Sequence, residues 1–403
     1  MWFHSLLPSW KSAHARRRQP PPAPRARLGV RQFEDRCLMS NYTAASVSAL
    51  IADINAANAA GGANTIALTS SSPYKLTSQL PTIAANDNLT IVGNGDELGF
   101  GTSGFRMVDV APGASLTLQN LQVHGFSIQG GTGGAIYNQG DLTLSAVTLS
   151  GNSVGVTTGL GLGIFSEGGA VWSSGSLTLE NGTLFEGNDV RGVGRSGGPA
   201  YGNGYGGALY IAGGTANISD TTFTRDYAMG GASSDGEPDG TAFGGAIYVA
   251  GGQVVISNAS IHGNYEQGAG ARGDVCYGGG MYVAGGTVTL TGDTVESNTA
   301  NISSAGYGGG LYVAGGTVTL TSDTVESNTA TYGGGLYIAA GTVTLSNTTV
   351  EANSATDYGG GIYIVSGATV YLDPFTVANT INNTDLSGTN GSTANIDGTY
   401  TLT

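Results

Sequence analysis

Acidic side chains are the part of this sequence that comes nearest to a catalytic set. Hydrolysis of a glycosidic bond requires two carboxyl groups that flank the bond, one to donate a proton and one to act as base or nucleophile. The acidic residues here are scattered, and neither an Asp-Asp pair nor a Gly-His-Gly tripeptide occurs. If the protein is an enzyme, its candidate catalytic residues are those nearest the long segments between repeated units: Glu167, Glu186, Asp189 and Asp226.

The basic residues give little support to polysaccharide lyase chemistry. A polysaccharide lyase would use a cationic or metal-supported Arg or Lys as its base. In the repeated part of the chain these residues lie in or beside the segments between repeats: Arg191, Arg195, Arg225 and Arg272. His124 and His262 have no partners at metal-ligand spacing, so the sequence predicts no metal site and no cofactor. We therefore expect a non-enzymatic protein, with a carbohydrate-active enzyme, either a polysaccharide lyase or a hydrolase, as the alternative.

Aromatic residues recur after pairs or triplets of glycine. They are Tyr137, Trp172, Tyr210, Tyr248, Tyr282, Tyr312, Tyr337 and Tyr363. If the apolar residues on either side point into a core, these rings point outward, because side chains alternate along a strand. An aromatic stripe can bind sugar rings, so the last six tyrosines are candidate binding residues. The simpler interpretation, which we favour, is that rings on neighbouring strands stabilise one another by stacking.

An asparagine ends each repeated unit. Its copies are Asn152, Asn188, Asn264, Asn298, Asn328, Asn353 and Asn379, with Asp226 at the same position in the third unit. Stacked amides can bond to turn backbone and to each other, so that no buried polar group is left unpaired. We predict a structural role for these asparagines and a weak point at Asp226.

The repeated unit itself predicts the fold. In the copy from Gly308 to Asn328, Leu311 and Val313 share one strand face, and Val318 and Leu320 share another after a Gly-Gly turn. Three short strands in about 25 residues, repeated eight times, are typical of a parallel β-helix. We predict an all-β, single-stranded, right-handed parallel β-helix of about eleven coils, the hand following from the general rule for parallel connections.

Composition divides the chain into four parts. Residues 1–40 hold eight of the 14 Lys and Arg residues but only two of the 28 acidic ones, and their Pro-rich run predicts a disordered targeting segment. Residues 41–63 contain an amphipathic helix, with Val47, Leu50, Ile51 and Ile54 on one face, which we expect to cap the first coil. We predict that residues 64–380 form the β-helix and that residues 381–403 form a polar tail.

Bulk properties exclude several classes of partner. The net charge of −14 opposes binding to nucleic acid, and no apolar run reaches the ~20 residues of a membrane span. Two cysteines, Cys37 and Cys276, exclude a disulfide framework. We expect a monomer.

The repeats resemble those of polymorphic outer-membrane proteins, which carry Gly-Gly-Ala-Ile and Phe-x-x-Asn motifs. Matching segments are Gly133–Ile136 with Leu149–Asn152, Gly168–Val171 with Phe185–Asn188, and Gly244–Ile247 with Ile261–Asn264. The run from Asn64 to Gly95 is similar to the entry of pectate-lyase-type β-helices of bacterial surfaces. These resemblances imply a β-helix exposed outside the cell and often tied to adhesion.

The segment Phe33–Ser40 resembles a short Leu-Glu-Pro/Asp-Arg-x-Leu-Leu-Ser sequence near the N-termini of large bacterial surface and extracellular proteins. It implies a secreted or cell-surface location, with the export route left open. As partners we expect surface glycans or other cell-surface proteins. We expect binding through the long segments 153–167, 189–205, 227–243 and 265–277.

Overall fold

The computed structural model describes residues 40–70, 73–100, 104–155, 165–192, 202–232, 240–268, 275–300, 305–385 and 395–403. All of these residues fall within one unit, residues 37–403. The targeting segment 1–40 lies outside the described residues, apart from Ser40, and so do the central parts of the four long segments predicted to bind partners.

The first elements, in chain order, lead up to the regular repeats. They are β1 (Ser40–Ala44), α1 (Val47–Ala60), β2 (Gly62–Leu68), β3 (Tyr74–Leu76), β4 (Asp87–Val92), β5 (Glu97–Phe100), β6 (Val108–Val110), β7 (Ser115–His124), β8 (Ser127–Ile128), β9 (Gly131–Thr132), β10 (Ile136–Asn138), β11 (Asp141–Ser150), β12 (Ser153–Val154) and β13 (Ser166–Glu167).

The middle elements follow one coil pattern. They are β14 (Val171–Ser173), β15 (Ser176–Glu180), β16 (Leu184–Glu186), β17 (Asp189–Arg191), β18 (Gly204–Tyr205), β19 (Leu209–Ile211), β20 (Thr215–Ser219), β21 (Thr222–Thr224), β22 (Tyr227–Met229), β23 (Ala242–Phe243), β24 (Ile247–Val249), β25 (Gln253–Ser257), β26 (Ser260–His262), β27 (Tyr265–Gln267), β28 (Val275–Tyr277), β29 (Met281–Val283), β30 (Thr287–Thr291), β31 (Thr294–Glu296), β32 (Thr299–Ala300) and β33 (Ala305–Tyr307).

The last elements complete the stack. They are β34 (Leu311–Val313), β35 (Thr317–Thr321), β36 (Thr324–Glu326), β37 (Thr329–Tyr332), β38 (Leu336–Ile338), β39 (Thr342–Ser346), β40 (Thr349–Glu351), β41 (Ser354–Tyr358), β42 (Ile362–Ile364), β43 (Thr369–Leu372), α2 (Pro374–Ala378), β44 (Thr380–Ile381), β45 (Thr384–Asp385), β46 (Ile396–Asp397) and β47 (Thr401–Leu402).

These strands form three long sheets of parallel pairs, which confirms the predicted parallel β-helix. The sheets contain 22, 10 and 15 of these strands, and strands inside each stack pair with their equivalents on the coils before and after. The 10-stranded sheet starts at β6 and ends at β46, while the 22-stranded sheet extends from β1 to β47. Strands β45, β46 and β47 pair with β41, β42 and β43, so the parallel stacking includes residues of the predicted C-terminal tail.

The core follows from the alternation of side chains. Leu311, Val313, Val318, Leu320 and Val325 are all buried, as their period-two spacing predicts. The same positions on the other coils join them in one continuous apolar cluster along the stack. The threonines between them point outward and form the faces of the 22-stranded sheet.

Helix α1 packs against this core near its beginning. The hydroxyl oxygen of Ser46 caps the helix by accepting the Ala49 N–H at 3.2 Å, and Leu50, Ile54 and Ala57 are buried. Strand β1, however, precedes the helix and pairs with β2. The helix therefore lies within the connection from the first strand to the second, and not before the first strand. A second helix, α2, was not predicted from the sequence.

Glycine pairs allow neighbouring coils to approach closely. Gly206 has φ +66°, a left-handed conformation that disfavours other residues, whereas the next residue, Gly207, is required for space. A Cβ atom at Gly207 would lie 2.0 Å from the carbonyl oxygen of Gly245 on the following coil. A Cβ atom at Gly206 would also lie 2.3 Å from the Leu209 carbonyl oxygen, so both glycines leave room for backbone and Gly206 in addition allows the left-handed conformation.

The long segments between repeats begin and end in short strands that form a lateral extension of the coils. Outgoing strands β12, β17, β22, β27 and β32 stack in one row, and return strands β13, β18, β23, β28 and β33 stack in another. Val154, Val190 and Ala228 of the first row pack with Ala242 and Cys276 of the second. The bases of the predicted binding segments are thus ordered strands with a small core of their own.

Candidate functional site

The predicted aromatic stripe forms a continuous column of stacked rings, which we call the first column. From Tyr137 to Tyr363, successive ring centroids lie 4.6 to 6.3 Å apart and the rings are within 17° of parallel. The rings point away from the core, as predicted, yet Tyr312 exposes only 9% of its surface. Because a ring inside the column has a neighbour on each face, it offers no free face for a sugar ring, which favours the stacking interpretation.

A second column lies edge-on to the first. It consists of Tyr205, Phe243, Tyr277, Tyr307, Tyr332 and Tyr358, with successive ring centroids 4.9 to 6.3 Å apart. Its rings stand nearly perpendicular to those of the first column; the Phe243 and Tyr282 planes, for example, cross at 80° with centroids 5.1 Å apart. Burial raises the pKa of Tyr248 and Tyr337 in the first column to about 12, so their phenols stay neutral to a higher pH than that of an exposed tyrosine.

Sequence reasoning missed this second column, although a signal for it exists. Each of its rings stands immediately before the glycine that opens the next repeat, as in Tyr205-Gly206 and Tyr307-Gly308. The same position carries Thr132 and Glu167 on the two earlier coils, where Glu167 pairs in register with Tyr205. The second column therefore begins after Glu167.

Glu167 belongs to a group of side chains that we call the Glu167 cluster: Phe165, Glu167, Trp172, Asn203 and Tyr205. The indole Nε1–H of Trp172 donates to Glu167 Oε2 at 2.8 Å, and Asn203 Nδ2 donates to the Tyr205 hydroxyl at 2.9 Å. The Phe165 ring lies 6.1 Å from the Tyr205 ring at an angle of 57° and is 55% exposed. Among the described residues, Tyr205 has a parallel ring only on its Phe243 side.

Both acidic groups of the cluster, the Glu167 carboxyl and the Tyr205 phenol, have raised pKa values. Burial raises the pKa of Glu167 above its usual range, and the hydrogen bond from Trp172 opposes this shift. Burial likewise raises the pKa of the Tyr205 phenol, assisted by the negative charge of Glu167. The arrangement combines an exposed aromatic ring, a carboxylate acceptor and an amide, groups that together recognise hydroxylated ligands.

The other three candidate carboxylates have different surroundings. Glu186 pairs with Arg225, and Asp189 Oδ2 accepts from Arg191 Nε at 2.7 Å. Asp226 is completely buried. In the described part of the chain no hydrogen bond joins any two of the four candidates, so the structure brings Glu167 together with aromatic residues and not with a second predicted carboxylate.

The asparagine ladder forms as predicted at six positions. Asn328, for example, donates its Nδ2–H to Val295 O at 2.8 Å and to Asn353 Oδ1 at 3.0 Å, and its Oδ1 accepts the Asn298 backbone N–H at 2.9 Å. Asp226 accepts from Asn188, but only its backbone N–H donates to Asn264, so the side-chain ladder is interrupted at Asp226, as predicted, and its Oδ2 is buried without a hydrogen bond. The ladder position predicted for Asn379 is wrong.

Asn383 takes the place predicted for Asn379. Its Oδ1 accepts from Asn353, and its Nδ2 donates to Val350 O at 2.9 Å. Asn379 instead ends the short helix α2, which begins at Pro374 and is capped by the Asp373 side chain. This helix adds residues to the coil, so counting from the aromatic residue reaches the wrong asparagine.

Two further carboxylates stack in a buried turn. Asp293 Oδ1 accepts the Ala259 N–H at 2.7 Å, and Asp323 Oδ1 accepts the Asp293 N–H at 2.7 Å. Hydrogen bonds of this kind, from backbone N–H groups to Asx side chains, are typical of turns. No group of three or more potential metal ligands is found among the described residues, and none of their helices is long and apolar enough to cross a membrane.

Comparison with known proteins agrees with this architecture. Residues 181–398, more than half of the chain, match the family model described as a right handed beta helix region. No curated protein and no solved structure matches the chain.

Proposed function

The chain belongs to the right-handed β-helix family, and we propose that it is a non-enzymatic glycan-binding protein that acts outside the cell. The proposed binding site is the Glu167 cluster. The observation that carries the proposal is the end of the second aromatic column at Tyr205, where the exposed Phe165 ring and the Glu167 carboxylate lie beside the first ring of a rigid stack.

The chemistry of the cluster suits a saccharide. A sugar presents a C–H face, which packs on an aromatic ring, and hydroxyl groups, which donate to carboxylate oxygens and exchange hydrogen bonds with amides. Phe165 supplies the ring, while Glu167 and Asn203 supply the polar groups. Stacking of Tyr205 on Phe243 at 4.9 Å holds the base of the cluster in place before a ligand arrives.

Binding without catalysis is favoured by the surroundings of the carboxylates. A hydrolase needs a second carboxyl group near the first, at about 5 to 10 Å. The polar partner of Glu167 is the indole of Trp172, while Glu186 and Asp189 are held by arginines. The alternative is a carbohydrate-active enzyme in which Glu167, with its raised pKa, acts as a general acid.

The extracellular location rests on the sequence. The segment Phe33–Ser40 resembles segments of exported bacterial proteins, and the acidic chain is suited to an exposed position. Detection of the full-length protein at the surface or in the medium of cells that express it, and its loss when residues 33–40 are deleted, would support this part of the proposal. Retention of the full-length protein inside the cell would contradict it.

The binding proposal is tested by screening the purified chain against a panel of neutral and acidic oligosaccharides. We expect Phe165→Ala to weaken binding of the best ligand by roughly tenfold, because the variant removes one aromatic contact. Phe375→Ala is the matched control, since Phe375 is 43% exposed on α2 and lies outside the cluster. No binding to any oligosaccharide, or equal loss in both variants, would contradict the proposal.

A second measurement separates binding from catalysis. Glu167→Gln keeps an oxygen acceptor for the Trp172 indole but cannot donate a proton as an acid. We expect the wild-type chain to release no shorter products from the oligosaccharide that it binds. Product release that is abolished by Glu167→Gln would establish the hydrolase alternative instead.

A further inference from the structure

A groove of 730 Å³ lies on the coils just before the Glu167 cluster. The residues of its wall that matter here are Gln79, Phe105, Arg106, Asp109, Ile128 and Gln129. Its volume falls within the range of about 300 to 1,000 Å³ that is usual for small-molecule sites. Its wall combines two primary amides, an ion pair, an aromatic ring and an aliphatic side chain.

Arg106 is fixed in this groove by two contacts. Its Nη1 donates to Asp109 Oδ1 at 3.0 Å, and its guanidinium carbon lies 5.0 Å from the centre of the Tyr137 ring, the first ring of the first column. The side chain is 19% exposed. A guanidinium held on both sides does not have to be ordered when a ligand binds, which lowers the entropic penalty of binding.

The groove and the Glu167 cluster lie on neighbouring coils. Strand β9 pairs with β13, and Gly131 on β9 lies two residues after Gln129 of the groove. The Gly131 N–H donates to the carbonyl oxygen of Phe165 in the cluster at 3.2 Å. On the aromatic side, the Tyr137 and Trp172 rings stack with centroids 4.6 Å apart. Since adjacent coils are separated by about 4.8 Å, a ligand longer than one sugar can contact both features.

The charges of the protein indicate which kind of ligand the surface can bind. Each arginine of the described residues pairs with a carboxylate: Arg106 with Asp109, Arg191 with Asp189, and Arg225 with Glu186. The chain as a whole carries a net charge of −14. With paired arginines and a negative chain, an anionic ligand such as a uronate or a sulfated sugar is repelled, whereas a neutral one is not.

We propose that the groove and the Glu167 cluster form one extended surface that binds a neutral oligosaccharide across successive coils. This inference rests on the proposed function and specifies its ligand. One end of the oligosaccharide packs on Phe165, and the other end lies in the groove, where Gln79 and Gln129 exchange hydrogen bonds with its hydroxyl groups. Affinity should therefore increase with the length of the oligosaccharide.

The test compares disaccharides with hexasaccharides of the cello-, xylo- and chito- series by calorimetry, using the full chain. We expect the hexasaccharide of the best series to bind more tightly than its disaccharide. The double variant Gln79→Ala/Gln129→Ala should reduce hexasaccharide affinity roughly five- to tenfold, as expected for two lost hydrogen bonds, and leave the disaccharide almost unchanged. Gln253→Ala, an exposed glutamine on β25, is the control.

The outcomes separate this inference from the proposed function. An unchanged ratio of hexasaccharide to disaccharide affinity in the double variant, with binding still weakened in Phe165→Ala, would overturn the extended surface alone. Equal or tighter binding of oligogalacturonate would overturn the choice of a neutral ligand. Absence of binding to all of these sugars would overturn both. Circular dichroism of each variant establishes that the fold is retained.

Discussion

Asn188 donates both its backbone N–H and its side-chain Nδ2–H to Oδ1 of Asp226 on the next coil, at 2.8 and 2.9 Å. Oδ2 of Asp226 occupies the position at which the other members of the ladder carry an NH₂ group, and it is buried without a hydrogen-bond partner. At the equivalent position on the following coil, Asn264 donates to Phe223 O at 3.1 Å. An aspartate fits such a site best when it carries a proton, because protonated aspartate is also a donor.

Asp226→Asn is therefore expected to stabilise the protein at neutral pH. Burial raises the pKa of Asp226 to about 8, against the opposing hydrogen bonds from Asn188. The carboxyl group must therefore take up a proton on folding at any pH between about 4 and 8. Its contribution to the free energy of unfolding is largest below about pH 4, and it is lost as the pH rises through 8. At pH 7 we expect a gain on the order of 2–4 kcal/mol in the coils around residue 226.

Urea unfolding at a series of pH values, together with hydrogen exchange of the neighbouring amides, measures this effect. The advantage of Asp226→Asn should disappear near pH 4. The reciprocal variant Asn264→Asp is the control, and it should create a new loss of stability between the same pH limits. Equal stability of the wild type and Asp226→Asn at pH 8 would show that the carboxylate is not buried as described.

Asp323→Thr should also stabilise the protein in alkali. Burial raises the pKa of Asp323 to about 7, and its Oδ2 is buried without a hydrogen bond. The same turn on the next coil carries Thr348, a neutral residue of compatible shape whose Oγ1 lies 3.4 Å from the Asp323 N–H. We expect a higher unfolding midpoint than wild type at pH 8 and no difference at pH 4, where the wild-type carboxyl is protonated.

Thermal unfolding at the two pH values is sufficient to check the Asp323 prediction. Asp373→Asn serves as a comparison, because Asp373 caps α2 and, although burial raises its pKa, several hydrogen bonds, including those from Thr376 and Asn347, together lower the pKa below its usual value. That variant should lose stability in neutral solution. A gain in the Asp373 variant comparable to that in Asp323→Thr would refute the proposed dependence on burial.

Glu266→Ala is expected to stabilise the lateral extension. Glu266 is 0% exposed, neither carboxylate oxygen makes a hydrogen bond of normal geometry, and burial raises its pKa well above the usual value. Alanine occupies the paired positions 228 and 300 on the adjacent coils. Removing the carboxyl group should add about 1–3 kcal/mol at pH 8 after allowance for the small cavity left behind.

Protease resistance of the lateral extension is a direct readout for this variant. Glu296→Ala provides the control, since Glu296 lies on the outer face of β31 and is not buried. Faster cleavage or a lower midpoint of Glu266→Ala at pH 8 would indicate that the carboxylate has a stabilising partner.

Tyr282→Ala should destabilise the middle of the stack. Its ring lies 5.0 Å from both Tyr248 and Tyr312 in the first column and 5.1 Å from Phe243 in the second. Loss of a fully buried aromatic side chain typically costs about 3–5 kcal/mol; Tyr282 is only partly buried, so we expect a smaller loss, to which the lost stacking contributes. Urea unfolding checks the prediction, with Tyr358→Ala, a 44% exposed ring at the end of the second column, as the milder comparison. Equal effects of the two substitutions would argue against stabilisation by stacking.

Local sequence determined the repeated coil. The alternation around Leu311 and Val318 fixes which side chains enter the core, and the glycines and Asn328 fix where the chain turns. These features depend on neighbours within about 25 residues and are copied from unit to unit, so reading one unit predicts the others. For the same reason the first aromatic column and the asparagine ladder followed from counting.

Contacts between coils were decided only by the tertiary structure. Which asparagine completes the ladder after Asn353 depends on α2, and whether the Phe165 ring meets the Tyr205 ring on the next coil depends on how the long segments fold back. Glu266 belongs to a predicted binding segment, but the return strands enclose it in a core. Such contacts join residues that lie far apart along the chain or within insertions of irregular length, and no local period specifies them. The sequence therefore predicted the β-helix scaffold, whereas the candidate binding surface is determined by the way the coils stack.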